Sequence, residues 1–422
     1  MSASWLERWL KTLGPGILFA STCIGVSHLV QSTRAGALAG FGLVWAVAAA
    51  NAAKYPFFEF GSRYASATGT SLIEGYRKLG RAASWGYLAT GLATGFFVVA
   101  AVGMVTAAFL DALLGISAAA GKAATTWVAA GLFLATTSLL LVGKFNTLDK
   151  LVKLLASALV LSTVAAVVLS VASPPETLPE VEWPQWDMDT AAGAAFLIAL
   201  MGWMPTAVDL STWNSIWTLE RIEASGYRPS LRETLREFNL GYGVSAILAF
   251  GFLTLGALLL HRTGESLPSG SAGFAAGIVG LYAKSIGPWS APIMGAAAFS
   301  AMMGTCVAVM DGYSRSLSQS LAVALDRKAS VRWGQVALLT VAAGGLAIVV
   351  LFSGQIKQLV DLATTLSFLA APLVAFWNLR LVTRPDFPED ARPGRALQAW
   401  AWTGLAFLTA FTLWFLWIQF AA

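Results

Sequence analysis

Eleven apolar stretches recur along this 422-residue chain, each long enough to cross the roughly 30 Å of hydrocarbon in a lipid bilayer. Such a chain folds as helices within the membrane, because backbone polar groups in lipid must be paired inside each segment. The composition agrees, since 57% of the residues are apolar and only 12% are charged. The predicted spans lie at about 13–39, 41–62, 84–113, 123–143, 152–173, 190–218, 238–261, 287–314, 333–353, 358–379 and 396–420.

The basic residues of the loops predict how the chain is threaded. A cytoplasmic N-terminus, with Arg8 and Lys11, places the loops rich in lysine and arginine on the cytoplasmic side, as the positive-inside rule requires. The acidic loop at 173–189 and the C-terminus then lie outside. We therefore expect a multi-pass protein of the cell inner (plasma) membrane, and we attribute the net charge of +5 to loops that face an anionic leaflet, not to nucleic-acid binding.

Two predicted spans are interrupted in their middle. The first is interrupted at Gly25, ahead of polar residues that include His28, and the sixth is interrupted at Pro205. Proline inside a helix removes a backbone hydrogen bond, and irregular backbone at membrane depth is tolerated only where it faces protein or a water-filled cavity. We expect residues 24–28 and 201–206 to be non-helical and to lie side by side.

Breaks five spans apart are typical of an inverted repeat of five plus five helices, the architecture of many secondary transporters. The sequence therefore predicts an all-α integral membrane protein with one transmembrane domain over residues 1–422. The first repeat would cover about 13–173 and the second about 190–379, with an extra helix at about 396–420. A single break is more often a simple kink, but two breaks in equivalent positions favour a binding site.

Five short motifs resemble the Nramp (natural resistance-associated macrophage protein) family of proton-coupled divalent metal transporters, and they occur in the same order and in the matching spans. They are GPGILFA at 14–20, TGTSLIEGYRK at 68–78, MP at 204–205, VMDGY at 309–313 and SFLAAPL at 367–373. The resemblance implies a secondary active transporter that works by alternating access, with a proton as a candidate coupling ion. The sequence contains no HExxH motif and no P-loop, so we do not expect an enzyme, and no cofactor is expected.

The resemblance also implies where substrate binds, and there this chain departs from the family. Where the family has Asp-Pro-Gly-Asn, the chain has GVSH at 25–28, so the ligating carboxylate is missing at Gly25. The family's thioether ligand corresponds to Met204, and its carbonyl ligand corresponds to Met201. The predicted substrate-binding residues are Gly25, Ser27, His28, Met201, Met204, Thr206 and Thr365.

Two cargo classes remain open for this altered site. His28 and Met204 form a soft, nearly uncharged ligand pair that suits a soft or late transition metal, whereas Mn²⁺ and similar ions prefer anionic oxygen ligands. Without the aspartate, the break could instead receive a small organic or anionic solute at freed backbone N–H groups. The expected partners are thus a small ion or solute and the lipid bilayer.

Three ionisable residues near the predicted breaks have alternative roles. His28 and Asp209 are candidates to carry a coupling proton, because ionisable groups inside a membrane are costly and usually functional. A hydrogen bond between helices is the structural alternative for both. Lys54 is expected either to extend its charge towards the interface or to pair with Glu59.

Overall fold

The computed structural model describes residues 11–121, 123–142, 146–172, 186–263, 267–268 and 271–421. Arg8 and residues 173–185 of the acidic loop lie outside the described residues. The described chain is helical almost throughout. Its α-helices are α1 (Pro15–Cys23), α2 (Thr33–Ala39), α3 (Val44–Thr68), α4 (Leu72–Leu79), α5 (Arg81–Leu114), α6 (Ile116–Ala120), α7 (Ala124–Val142), α8 (Asn146–Ala172), α9 (Ala191–Gly202), α10 (Ser211–Ser225), α11 (Leu231–Leu259), α12 (Ser271–Ile286), α13 (Ser290–Ala324), α14 (Val331–Leu351), α15 (Ile356–Val382) and α16 (Arg395–Ala421).

Each of the eleven predicted spans coincides with one helix or with the two halves of a broken helix. Within the described ranges, seven helices are individually long and apolar enough to cross a membrane, namely α5, α7, α11, α13, α14, α15 and α16. The sequence-based prediction missed α4, α6 and α12. Helix α4 escaped because it has only 8 residues and is amphipathic; it begins with a capping box formed by Ser71 and Glu74.

The helices pack in the pairs that an inverted repeat requires. Helix α2, the second half of the first span, packs against α11 in the seventh span, and α10, the second half of the sixth span, packs against α3 in the second span. Helices α5 and α13, from the third and eighth spans, pack against each other. In an inverted repeat, span one corresponds to span six and span two to span seven. The contact of span one with span seven is therefore matched by the contact of span six with span two. The exact repeat limits remain a prediction.

The second broken span lies between two buried apolar clusters. Met201 and Met204 belong to one cluster, together with residues of α3 and α15. Trp203 and Ala207 belong to the other, together with residues of α5 and α13. The interrupted backbone is therefore enclosed by protein on both sides, as the tolerance of irregular backbone in a membrane demands.

Candidate functional site

The first break is a tight turn followed by a change of helix type. Helix α1 ends at Cys23, residues 24–25 form a turn, and the π-helical segment Ser27–Ser32 leads into α2. The hydroxyl of Ser27 donates to the carbonyl oxygen of Cys23 at 2.6 Å, which satisfies an acceptor at the helix end. The predicted non-helical range of 24–28 was therefore too wide, because the backbone is helical again from residue 26.

Gly25 is required at this break by a close neighbour. A Cβ atom at position 25 would lie 2.9 Å from Oγ1 and 3.0 Å from Cγ2 of Thr305. The φ angle of Gly25 is not positive, so the backbone conformation itself does not demand glycine. The missing side chain at this position thus lets α13 approach the first broken span.

The second break begins later than predicted. Helix α9 continues through Gly202, residues 203–207 are non-helical, and a 3₁₀ turn at Val208–Leu210 leads into α10. A Cβ atom on Gly202 would lie 2.0 Å from the carbonyl oxygen of Thr364, so α9 and α15 touch at this point. The indole nitrogen of Trp203 donates to the hydroxyl of Ser367 at 2.9 Å and fixes the start of the irregular segment against α15.

Lys54 of α3 reaches the second break and is completely buried. Its Nζ donates to the carbonyl oxygens of Met201 at 2.6 Å, Gly202 at 2.6 Å and Thr206 at 3.1 Å. The last carbonyl groups of α9, which have no partner within their own helix, are thus satisfied by an amine from another helix.

The prediction that Lys54 extends to the interface or pairs with Glu59 is wrong. Glu59 accepts hydrogen bonds from the guanidinium of Arg63, one helical turn away, at 2.5 to 3.2 Å. Arg63 also donates to the carbonyl oxygen of Ala391. Only tertiary packing brings α3 beside the end of α9, so the sequence carried no local signal for the contact of Lys54.

Both breaks line one cavity of about 20 Å³, which has room for about one water molecule. This finding confirms that the two breaks lie side by side. Four hydroxyl residues and seven apolar residues contribute, and none of the lining residues is titratable. They are Thr22, Ser27, Thr206 and Thr305, with Val26, Val98, Val102, Trp203, Ala207, Leu210 and Val309.

The predicted metal-ligating side chains have different partners. His28 is fully buried, its Nδ1 is hydrogen-bonded to the hydroxyl of Ser27 at 2.8 Å, and its Nε2 donates to the carbonyl oxygen of Ser245 in α11 at 2.8 Å. The sulfur of Met204 instead accepts from the hydroxyl of Ser32 at 3.8 Å. Within the described residues, no group of three or more His, Cys, Asp or Glu side chains is arranged to hold a metal ion.

In α15 the residue that faces the first broken span is Thr364, the neighbour of the predicted Thr365. Thr364 is fully buried and its hydroxyl accepts from the side-chain amide of Gln31 at 3.4 Å, whereas Thr365 is only half-buried. One residue along a helix turns the side chain by about 100°, so Thr364 and Thr365 lie on different faces of α15; a binding role of Thr365 stays a prediction.

Asp209 lies in the 3₁₀ turn and is buried. Its Oδ2 accepts from the hydroxyl of Tyr313 at 2.9 Å. Residues 203–207 are not helical, so Thr206 and Asp209 do not lie on one face of a regular helix. Asp209 is therefore linked to α13.

An ion pair joins the far end of the first broken span to α15. Arg34 donates to both carboxylate oxygens of Asp361, at 2.6 and 3.0 Å, and Gln31 donates to the same carboxylate at 3.0 Å. Asp361 therefore takes a pairing role. The bidentate geometry makes this one of the stronger kinds of hydrogen-bonded ion pair.

Glu237 of α11 holds the opposite end of the same span, and the sequence-based prediction missed it. Its carboxylate accepts from the backbone N–H of Gly14 at 2.9 Å and of Gly16 at 2.8 Å. These N–H groups open helix α1, where the first donors have no intrahelical partner and the helix dipole favours an anion. The only available signal was an acidic residue at the predicted end of span seven.

Comparison with known proteins identifies relatives over nearly the whole chain. The family model described as natural resistance-associated macrophage protein-like (Nramp) matches residues 16–418. An uncharacterised protein of Pasteurella multocida (strain Pm70) is 35% identical, and the match covers 98% of this chain and 93% of that protein.

Solved structures with the same fold include two transporters. The crystal structure of the Eremococcus coleocola manganese transporter, in complex with an aromatic bis-isothiourea compound, has a TM-score of 0.72 at 14% identity and covers 99% of this chain and 88% of that chain. MHP1, a nucleobase-cation-symport-1 family transporter in a closed conformation with bromovinylhydantoin bound, has a TM-score of 0.58 at 16% identity, covering 97% of this chain and 88% of that chain. These likenesses concern the fold.

Proposed function

Because the chain belongs to the Nramp (natural resistance-associated macrophage protein-like) family of membrane transporters, we propose that it is a secondary active transporter that works by alternating access. The observation that carries this proposal is the cavity shared by the two broken spans. Transporters with inverted repeats hold their cargo at such breaks and move one set of helices against the other around it.

Two contacts at the ends of the first broken span would control access to the cavity. The Arg34–Asp361 ion pair ties this span to α15 on the side that the sequence predicts to face outward. The carboxylate of Glu237 ties the start of α1 to α11 on the predicted cytoplasmic side. Opening either side requires one of these contacts to separate, so cargo would enter and leave by alternate routes.

A divalent metal ion is the first cargo to test, because of family membership and because the Eremococcus coleocola relative in fold is described as a manganese transporter. The proposed ligands are His28, Met204 and the carbonyl of Met201. Each would have to exchange its present hydrogen-bond partner for the ion. Asp209 is the proposed carrier of a coupling proton, since it is a buried carboxylate beside the second break.

A small organic or anionic solute is the second candidate, and the lining of the cavity favours it. The hydroxyl groups of Ser27 and Thr206 contribute hydrogen-bonding capacity without charge, and the apolar lining suits an uncharged body. A divalent ion would have no anionic oxygen in this lining, although such a ligand offsets much of the cost of dehydration.

A binding screen followed by an uptake measurement tests the proposal. Purified protein is titrated with Mn²⁺, Cd²⁺, Mg²⁺ and a panel of small carboxylates, and any ligand found is offered to proteoliposomes under a pH gradient. We expect one ligand to bind saturably and to accumulate only when the gradient is present. Thr206→Val should weaken that ligand's binding, while Thr340→Val, at an exposed hydroxyl of α14, serves as the matched control. Binding without any gradient-driven uptake would contradict secondary transport.

A further inference from the structure

We infer that the ammonium group of Lys54 occupies the carbonyl oxygens at the end of α9 and thereby selects against divalent metal ions at the cavity shared by the two broken spans, which is called the central site below. The inference rests on the proposed function only in treating that site as the place where cargo binds. The side chain takes the carbonyl oxygens that an incoming metal ion would need, and it adds a positive charge beside them.

The hydrogen bonds of Lys54 match those of an ammonium group. An ammonium group has three N–H donors, whereas a neutral amine has only two. Three carbonyl oxygens lie within 2.6 to 3.1 Å of Nζ, which gives one acceptor for each donor of an ammonium group. Two of these distances are shorter than those of ordinary neutral N–H···O bonds, as expected when the donor is ionised.

The position of Lys54 is the one that a bound cation would take. The carbonyl groups of Met201 and Gly202 end α9, where the helix dipole is negative and the backbone acceptors lack helical partners. In transporters with broken helices, unwound carbonyls and half-helix C-terminal ends coordinate the cation. Thr206 completes the arrangement with a third carbonyl from the irregular segment.

The surrounding charges leave little attraction for a second cation. Asp209 is a buried carboxylate near the second break, and its Oδ2 already accepts a hydrogen bond from the hydroxyl of Tyr313. No acidic residue lines the cavity, and Gly25 stands where the resembling family has aspartate. A divalent ion would therefore have to displace a tethered ammonium without gaining an anionic ligand at position 25.

Metal titration of the wild-type protein and of Lys54→Leu tests the inference. Leucine removes the charge and frees the carbonyl oxygens without adding a metal ligand. We expect no saturable binding of Mn²⁺ or Cd²⁺ to the wild type at millimolar concentration, and saturable Cd²⁺ binding to Lys54→Leu at a concentration about tenfold lower, because the carbonyls then lack their cation. Lys357→Leu is the matched control, since Lys357 also donates to a carbonyl, that of Leu267 at 3.0 Å.

Chemical rescue separates the charge of Lys54 from its packing. Lys54→Ala removes three methylene groups and the ammonium, which n-propylammonium can replace. We expect this variant to unfold at a lower temperature and n-propylammonium, but not n-propanol, to restore most of the loss. Equal restoration by the alcohol would overturn the inference, because packing alone would then explain the residue.

Cd²⁺ titration of the wild-type protein tests the inference even if both variants fail to fold. Saturable wild-type binding of Cd²⁺ that Met204→Ala weakens would show that a metal enters despite Lys54, and it would overturn the inference. Neither the titration nor the rescue uses uptake. If the titration and the rescue give the expected results but no cargo is transported, the role of Lys54 stands and only the proposed function is contradicted.

Discussion

The close approach of Gly25 and Thr305 makes a quantitative prediction about the first break. In Gly25→Ala, the new methyl group would lie 2.9 Å from Oγ1 and 3.0 Å from Cγ2 of Thr305. Overpacking of this kind costs about 1–3 kcal/mol. Thr305→Ala removes both crowded atoms at a cost of about 1 kcal/mol, because the Thr305 hydroxyl also donates to the carbonyls of Ser21 and Ala301.

The double variant should therefore be more stable than the sum of the single changes predicts. We expect a favourable coupling of about 1–2 kcal/mol between the two substitutions, which is measured as the recovery of the apparent melting temperature in detergent when Thr305→Ala is added to Gly25→Ala. Gly243→Ala is the matched control, because nothing lies within 4 Å of a Cβ atom there. Strictly additive effects of Gly25→Ala and Thr305→Ala would refute the steric explanation.

The remaining predictions concern the two access contacts and the buried carboxylate. Asp361→Asn should weaken the pair with Arg34 by about 1 kcal/mol and shift the conformational equilibrium roughly fivefold towards the outward-open form. The shift would be measured as faster labelling of a cavity cysteine from outside. An unchanged labelling rate would contradict a role of this ion pair in controlling access. Glu237→Ala should lower the melting temperature more than Glu237→Gln, which keeps an acceptor for the N–H groups that open α1; equal losses would contradict that role. Asp209→Asn should retain cargo binding but lose dependence of uptake on the pH gradient, and retained dependence would exclude Asp209 as the proton carrier.

The spans and the breaks were predictable from sequence because they depend on local properties. Apolar length gives a membrane helix, and Pro205 cannot continue one without losing a hydrogen bond. The limits of the breaks were less accurate. Gly202 still belongs to α9, and the residues after Gly25 resume a helical backbone. Both outcomes depend on neighbouring helices, not on the local residue types.

The site was less predictable because its contacts join distant parts of the chain. The partners of Lys54 are about 150 residues away, and the carboxylate that opens α1 belongs to α11. Helical register also matters, because Thr364, the neighbour of the predicted Thr365, is the residue whose hydroxyl accepts from Gln31. The missing aspartate at Gly25 was visible in the sequence, but the sequence placed Lys54 at the interface or beside Glu59 and not at the end of α9.

Cysteine accessibility at Thr206 tests the central claim of alternating access most directly. Thr206 lines the cavity at the second break and is 8% exposed, while the two native cysteines, Cys23 and Cys306, are each 1% exposed and supply the background. Thr206→Cys is placed in oriented proteoliposomes and treated with a membrane-impermeant maleimide on one side at a time. We expect labelling from each side above the wild-type background. Labelling from one side only, however long the exposure, would contradict it.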